Sequence, residues 1–307
     1  MAGADRVIQS EADVGALAFL KDGQALAAIT RDGKIRIWDI ESGSLKRTFS
    51  GDPGDVSSTL IPGTDHAAVM GADGSVSVWS LESGERVERR AGSREGQRPL
   101  AFSRDRGLMA AVSPVRGTSE DTMRVWDARG IERFRTPAGI GGTSLLAFAP
   151  GGETVFAASW DTNLRVWNTQ NGELVRLIDE LPVAMFAAAF SNDGKYLATA
   201  GVDRTVYLWE TRTWKLSRQL RGQPEMISAL ALSADSRRLL TGGFSDISSR
   251  QPVKILLWDV ESGKVLRTED ASQRVAAVAF SPDGKVAAAT ESPRNIRLMA
   301  LASVQAR

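Results

Sequence analysis

The chain contains no cysteine and a single histidine in 307 residues. The first absence rules out disulfides, thiolate chemistry and the common zinc sites, and leaves the redox compartment open. The second removes most acid–base and nucleophilic designs, which lean on His or Cys. His66, in Asp65-His66, reads as a solvated turn residue between two strands. No Asp-rich loop has the spacing of a calcium site. Gly139-Ile140-Gly141-Gly142 resembles a phosphate loop only superficially, since a phosphate-binding version follows a strand and opens a helix. No stretch approaches the roughly 20 apolar residues of a membrane span, and no basic start with an apolar core marks a signal peptide. The expectation is a non-enzymatic cytoplasmic protein with no cofactor and no metal.

What is present is periodic. Trp38, Trp79, Trp126, Trp167, Trp209 and Trp258 are separated by 41, 47, 41, 42 and 49 residues, and one more interval of 41 lands on Met299. Each ends a β-like run, such as Ile35-Arg36-Ile37-Trp38 or Leu164-Arg165-Val166-Trp167. A second landmark keeps the phase: Phe19, Leu60, Phe148, Phe190 and Phe280 stand 19 residues ahead of their Trp or Met, while Phe102 and Leu232 stand 24 and 26 ahead. A unit of about 40–45 residues with four strands is a propeller blade. The chain therefore reads as all-β, a seven-bladed β-propeller of four-stranded antiparallel blades. Seven blades consume residues 1–307 as a single domain.

These landmarks resemble the WD-repeat β-propellers, including forms that lack the Gly-His element. The dipeptide stands at Trp38-Asp39, Trp126-Asp127 and Trp258-Asp259, and Phe280-Ser281-Pro282-Asp283-Gly284 matches the family's turn between its first two strands. In the first copy, strands a to d fall at about Val14–Phe19, Ala25–Ile29, Lys34–Ile40 and Leu45–Phe49, separated by Asp22-Gly23, Asp32-Gly33 and Ser42-Gly43. Such pairs suit short hairpins. The segment Asp5-Arg6-Val7-Ile8-Gln9 sits where a d strand belongs, so the N-terminal strand is expected to complete the seventh blade.

The Gly-His slot, whose imidazole bridges a turn Asp and the tryptophan in that family, reads Gly51-Asp52 or Gly222-Gln223 here. Turn aspartates remain at Asp32, Asp73, Asp161 and Asp203, with Asp121 displaced by one. Lacking the histidine network, the blades are expected to rely on packing.

The resemblance implies a rigid, non-catalytic scaffold or sensor subunit, monomeric on its own. It would bind protein partners, within a multi-protein complex, on the face where b–c and d–a loops emerge. Two b–c loops are long, Ser113–Asp121 in the third copy and Gly243–Pro252 in the sixth. Candidate partner-binding residues on that face are Arg31, Arg94, Arg98, Arg116, Trp160, Arg204, Phe244, Ile247 and Arg250. Phe244 and Ile247 are apolar without an evident core slot, and Trp160 precedes turn Asp161.

Charge is uneven although the total is +1: residues 86–135 hold twelve arginines against seven acids. A nucleic-acid contact through these blade-three arginines is one alternative. The other is a propeller enzyme or small-ligand binder at the channel mouth. Arginine outnumbers lysine 30 to 8, which fits a GC-rich bacterial gene.

Overall fold

The computed structural model describes residues 5–50, 57–61, 64–70, 75–90, 100–103, 107–179, 181, 183–245, 251–272 and 274–301. Every regular element among them is a β-strand, and the strands form seven four-stranded antiparallel sheets, a seven-bladed β-propeller. The first strand, β1 (Arg6–Gln9), belongs to none of the first six sheets. Blade 1 is β2 (Val14–Phe19), β3 (Ala25–Thr30), β4 (Lys34–Asp39) and β5 (Leu45–Ser50), within a residue of the ranges expected from the turns. Blade 2 is β6 (Ser57–Leu60), β7 (His66–Met70), β8 (Val76–Ser80) and β9 (Arg86–Arg90). Blade 3 is β10 (Leu100–Phe102), β11 (Met109–Pro114), β12 (Glu120–Trp126) and β13 (Glu132–Ile140). Blade 4 is β14 (Thr143–Phe148), β15 (Thr154–Ser159), β16 (Leu164–Asn168) and β17 (Leu174–Ile178). Blade 5 is β18 (Met185–Phe190), β19 (Tyr196–Gly201), β20 (Thr205–Glu210) and β21 (Lys215–Arg221). Blade 6 is β22 (Met226–Leu232), β23 (Arg238–Phe244), β24 (Val253–Asp259) and β25 (Val265–Ala271). Blade 7 holds β26 (Val278–Phe280), β27 (Val286–Ser292) and β28 (Asn295–Ala300).

Blade 7 takes its outer strand from the start of the chain: β1 pairs antiparallel with β28, Arg6 opposite Leu298 and Gln9 opposite Asn295. Consecutive residues clip this short strand to both sides. The Asp5 carboxylate accepts from Arg267 on β25 and from the Ala300 amide at 3.1 Å. The Arg6 guanidinium donates to the Glu41 carbonyl of blade 1. Arg267 also pairs with Glu269, which faces Arg297, which pairs with Glu291, so opposite charges alternate along the closing blade.

Two compact units make up the chain. One is Met1–Ser50, Ala187–Ala200 and Arg204–Arg307; the other is Gly51–Phe186 and Gly201–Asp203. Within each unit the repeat tryptophans fill the space against the preceding sheet. In the second unit Trp167 of blade 4 packs among Ala110, Val112, Met123 and Val125 of blade 3, and Trp126 of blade 3 packs among Ala68, Val76 and Val78 of blade 2. In the first unit Trp258 meets Ala198, Ala200, Val206 and Leu208, Trp38 meets Ile8, Ile296 and Leu298, and Met299 fills the same role against blade 6. The alanines are the counterpart of the indoles, because a small facing side chain leaves the volume that a large one occupies. Trp79 departs from this pattern: it is only half-buried and its indole nitrogen lacks a partner.

The histidine network is not simply missing. In blade 6 the Trp258 indole donates to Thr241 Oγ1 at 2.9 Å, the Thr241 hydroxyl donates to Gln223 Oε1 at 2.7 Å, and Gln223 Nε2 donates to Glu225 Oε2 at 3.1 Å. Gln223, in the Gly-His slot, is buried, and Glu225 supplies the carboxylate that a turn Asp gives elsewhere. Gly243 makes the room, since a Cβ there would come within 2.8 Å of Glu225 and 3.0 Å of Gln223. Blade 5 keeps a shorter version, Trp209 Nε1 to Thr199 Oγ1 at 3.0 Å. The expectation that packing alone carries these blades is corrected to that extent.

His66 is corrected as well: it is the first residue of β7, opposite Ser80, and not part of a loop. Trp214 is a further surprise. It takes the left-handed position, φ 54°, that Gly43, Gly172 and Gly263 occupy in the equivalent turns, and it is buried. A left-handed non-glycine residue costs roughly 1–2 kcal/mol, which burial of a large indole offsets.

Replacing Trp167 with Ala is expected to cost about 3–5 kcal/mol in urea unfolding, as for a fully buried aromatic, and Trp79→Ala distinctly less. Equal losses at the two sites would contradict the packing described here. Deleting residues 1–10 is expected to lower the thermal midpoint markedly, because it strips the β1 pairing and both clips. An unchanged midpoint would show that β1 does not hold blade 7.

Candidate partner-docking face

The b–c loop of blade 3, the link from blade 3 to blade 4 and the b–c turn of blade 4 lie together in the second unit. The Gly141 amide donates to the Ser119 carbonyl at 2.8 Å and the Trp160 amide to the Gly142 carbonyl at 2.9 Å. The buried Asp121 carboxylate takes the Thr143 amide at 2.5 Å and the Thr143 hydroxyl at 2.8 Å. One step away, Asp161 Oδ2 accepts from the Ile140 amide at 3.3 Å. The two turn aspartates thus tie the surface segments together, beyond shaping their own turns.

Trp160 stands in the middle of this arrangement. Its indole meets the Phe186 ring edge-on, centroids 5.2 Å apart, and 54% of the residue remains exposed. Gly141 and Gly142 lie under it; a Cβ on either would touch its side chain at 3.4 Å. The glycine run is therefore a floor for an aromatic ring, which gives Gly139-Ile140-Gly141-Gly142 a role other than phosphate binding. Ile140, next to Gly141, and Val115, in the loop whose Ser119 carbonyl takes the Gly141 amide, are further exposed apolar side chains.

The electrostatics beneath the indole are settled internally. Arg165 on β16 faces Asp161 with two bonds, Nη2 to Oδ2 at 2.7 Å and Nη1 to Oδ1 at 3.2 Å. Burial pushes the Asp161 carboxyl up, but Arg165 and the amides of Asn163 and Ile140 outweigh it and hold the group below the usual carboxylate range. Blade 1 repeats the device. Arg36, its side chain 2% exposed, bonds Asp32 at 2.7 and 2.9 Å and also Thr30. Hydrogen bonding from Arg36 holds Asp32 well below the usual range, against an opposing effect of burial. The Asp-to-Arg spacing of four residues brings turn and strand c together in both blades.

Of the other residues expected on this face, Arg116 is exposed in the blade-3 loop, and Arg31 is exposed in the b–c turn of blade 1. Arg204 is exposed with φ 65°, in the left-handed position that Gly33 takes in blade 1. The structure brings Arg116 and Trp160 into one set of bonded loops; Arg31, Arg204 and Phe244 belong to the other unit. Phe244 is not a free anchor. It is half-buried, bridges to Arg274, and carries the Arg274 guanidinium 5.8 Å above its ring. Arg94, Arg98, Ile247 and Arg250 lie outside the described residues. Among the arginines of residues 86–135 that are described, Arg89 lies on β9 of blade 2 and reaches Ser75 at 3.2 Å. Phe186, Ile140 and the two glycines are members of the face that sequence reasoning passed over. The signal for the glycines was an unusually small link directly before a blade whose turn carries tryptophan. Phe186 is one apolar residue in an apolar strand and carried none. Among the described residues, no three His, Asp or Glu side chains gather as a metal-holding group, and no helix is long and apolar enough to cross a membrane.

A carboxyl held below its unfolded value of about 4 contributes stability above that pH, and the contribution is lost as pH falls through the lower folded value. Asp161→Asn is accordingly expected to cost about 1.5–3 kcal/mol at pH 7, the range for hydrogen bonds to charged groups, and progressively less toward pH 3. Urea unfolding at the two pH values measures this. A cost independent of pH would assign the effect to shape and not to the ion pair.

Comparison with known proteins agrees with the blade pattern. The family model for the WD domain, G-beta repeat, matches residues 6–39, 142–168 and 182–210. The chain is 26% identical over 203 residues to nuclear distribution protein PAC1-2 of Uncinocarpus reesii (strain UAMH 1704), covering 58% of this chain and 42% of that protein. It is 21% identical over 172 residues to autophagy-related protein 16 of Arabidopsis thaliana, covering 56% and 33%. It is 26% identical over 172 residues to the periodic tryptophan protein 2 homolog of Schizosaccharomyces pombe (strain 972 / ATCC 24843), covering 55% and 15%. The chain spans less than half the length of each of these relatives. All three come from eukaryotes and lend no support to a bacterial source. With matched repeats in blades 1, 4 and 5 and seven four-stranded sheets in the structure, the chain carries WD repeats on a seven-bladed β-propeller.

Proposed function

We propose that this protein is a non-catalytic interaction scaffold, a single propeller domain that docks protein partners through its b–c and d–a loops, with Trp160 as the anchor. The observation that carries the reading is the half-exposed indole itself. It is fixed from below by Gly141 and Gly142 and from the side by Phe186, so little rotamer freedom remains to be lost on binding. Rigid aromatics with a polar surround are the residues that dominate interface energies. Arg116, in the loops bonded to the Trp160 turn, supplies exposed charge that would steer an acidic partner and set orientation more than affinity; Arg31 and Arg204 are proposed as exposed charged contacts of the other unit. Arg94, Arg98, Ile247 and Arg250, which lie outside the described residues, stay in the proposal as candidates from the sequence alone. The relatives named as nuclear distribution and autophagy-related proteins are consistent with such a role in multi-protein assemblies. A cytoplasmic location and a monomeric propeller are part of the same proposal.

The deciding experiment compares wild type with Trp160→Ala and with Arg116→Glu in quantitative pull-downs from lysate of the source organism. Thermal midpoints are recorded for every variant. Loss of a central aromatic anchor is worth at least about 2 kcal/mol, or some thirtyfold in affinity. A partner retained by wild type should therefore be lost with Trp160→Ala and weakened with Arg116→Glu, while the midpoint stays close to wild type. Partners that bind all three proteins equally would move the site away from this face. Binding that falls steeply with salt would instead favour a phosphate backbone.

A further inference from the structure

We propose that the outer strand of blade 4, β17 (Leu174–Ile178), is a second docking edge, which takes up an extended segment of alternating apolar and acidic residues as a fifth strand of that sheet. An outer strand presents a row of unpaired backbone N–H and C=O groups, and natural proteins protect such edges with charge, short length or a covering element. This chain follows the rule in most blades. The outer strand β21 carries Lys215, Arg218 and Arg221, β5 carries Lys46 and Arg47, and β9 carries Arg86, Glu88 and Arg89. On β25, Arg267 and Glu269 are committed to ion pairs, and β1 is clipped on both sides by Asp5 and Arg6.

Strand β17 breaks the rule. Its sequence is Leu174-Val175-Arg176-Leu177-Ile178, with one charge in five residues. Leu174 is 51% exposed, Val175 52% and Leu177 40%. Its inner edge pairs with β16, Val166 opposite Arg176 and Leu164 opposite Ile178, and the sheet ends there. Arg176 is exposed and makes no ion pair among the described residues, so the edge offers apolar surface around a single available cation.

The register specifies the occupant. Side chains alternate across a strand, and residues opposite one another in an antiparallel pair share a face. Val175 is the extra residue of a β-bulge, because Val166 faces Arg176 while Trp167 faces Leu174, so regular alternation runs from Arg176 to Ile178. There Leu177 asks for an apolar residue opposite it, and Arg176, on the other face, asks for a carboxylate. Arg133 and Arg135 on the neighbouring outer strand β13 are also exposed and add positive field, although Arg135 is paired with Glu132. A second copy of this chain docking two-fold about Arg176 would place that residue opposite itself, and like charges directly opposite are destabilising. The edge is therefore assigned to an acidic segment of another protein. It rests on an observation independent of the Trp160 face.

The probe is a heptapeptide alternating valine with glutamate, compared with one alternating valine with lysine. Each is added at millimolar concentration to the full chain while amide hydrogen exchange is followed residue by residue. The glutamate peptide is expected to slow exchange of the β17 amides at least tenfold, and the lysine peptide to leave them unchanged. Arg176→Glu, an exposed substitution that leaves the inner pairing with β16 in place, should reverse the preference. Protection that ignores peptide charge, or none within residues 174–178, overturns the proposal; the thermal midpoint of Arg176→Glu separates a lost site from a lost fold.

Discussion

One packing relation supports the blades: the large side chain near the end of the third strand, Trp38, Trp126, Trp167, Trp258 or Met299, is buried against residues of the sheet before it. Trp167 against Ala110 and Val112, and Trp258 against Ala198 and Ala200, are two instances of the same fit. A four-stranded sheet of this size cannot bury its own apolar faces, so its stability lies in the interface with its neighbour. That explains why the tryptophans are spaced by whole repeats, and why the third strands tolerate continuous apolar runs such as Ile255-Leu256-Leu257-Trp258. It also explains how blade 7 manages without the indole. Met299 is unbranched and adaptable, and it fills a gap among Ala229, Leu240 and Leu257 without demanding one shape.

Polar interactions then fix what packing leaves free. Packing sets the distance between sheets but does little to hold the loops at their ends. Asp161 with Arg165 and Asp32 with Arg36 tie each b–c turn to its own third strand, and Asp121 ties a loop of one blade to the first strand of the next. Arg36 is the extreme case, since its charge is almost wholly removed from water. Its partner Asp32 keeps 33% of its side chain exposed, so the pair is buried on one side only, and losing Asp32 would leave a buried guanidinium short of a partner. The arrangement is better understood as fixing geometry: it makes the turn that presents Trp160 a rigid mount.

The repeat architecture was legible in the sequence because it depends on residues that recur. Trp38 to Trp258, the turn glycines and the Phe landmarks each mark a phase, and a misreading of one copy is corrected by the others. Strand β1 was legible for the same reason, as a d-strand pattern at the right offset. The replacement of the histidine network was not, because Gln223, Glu225, Thr241 and Gly243 are ordinary singly and meet only through a fold that sets them together. Trp214 was invisible on similar grounds: nothing in a local window says that a tryptophan occupies the glycine step of a turn. At the candidate face, Trp160 stood out as an aromatic beside a turn, whereas Phe244 misled, because the cation that covers it, Arg274, lies thirty residues further along the chain.

Function in such a protein belongs to departures from the repeat, and the departures here are of two physical kinds. At the loop face the repeat supplies stiffness, and the variable element is a side chain, an indole held where other blades place Arg31 or Val202. At the outer edge the repeat supplies backbone, and the variable element is a thinner safeguard, one charge on β17 where β5, β9, β13, β21 and β25 each carry two or more. A side-chain anchor recognises shape and is sensitive to one substitution. An open strand edge recognises extended conformation through the main chain, and its side chains set only preference. The two surfaces therefore do not compete for the same kind of ligand. In a chain with no cysteine and a single histidine, these places where the blades are not alike are what set one copy of the repeat apart from another.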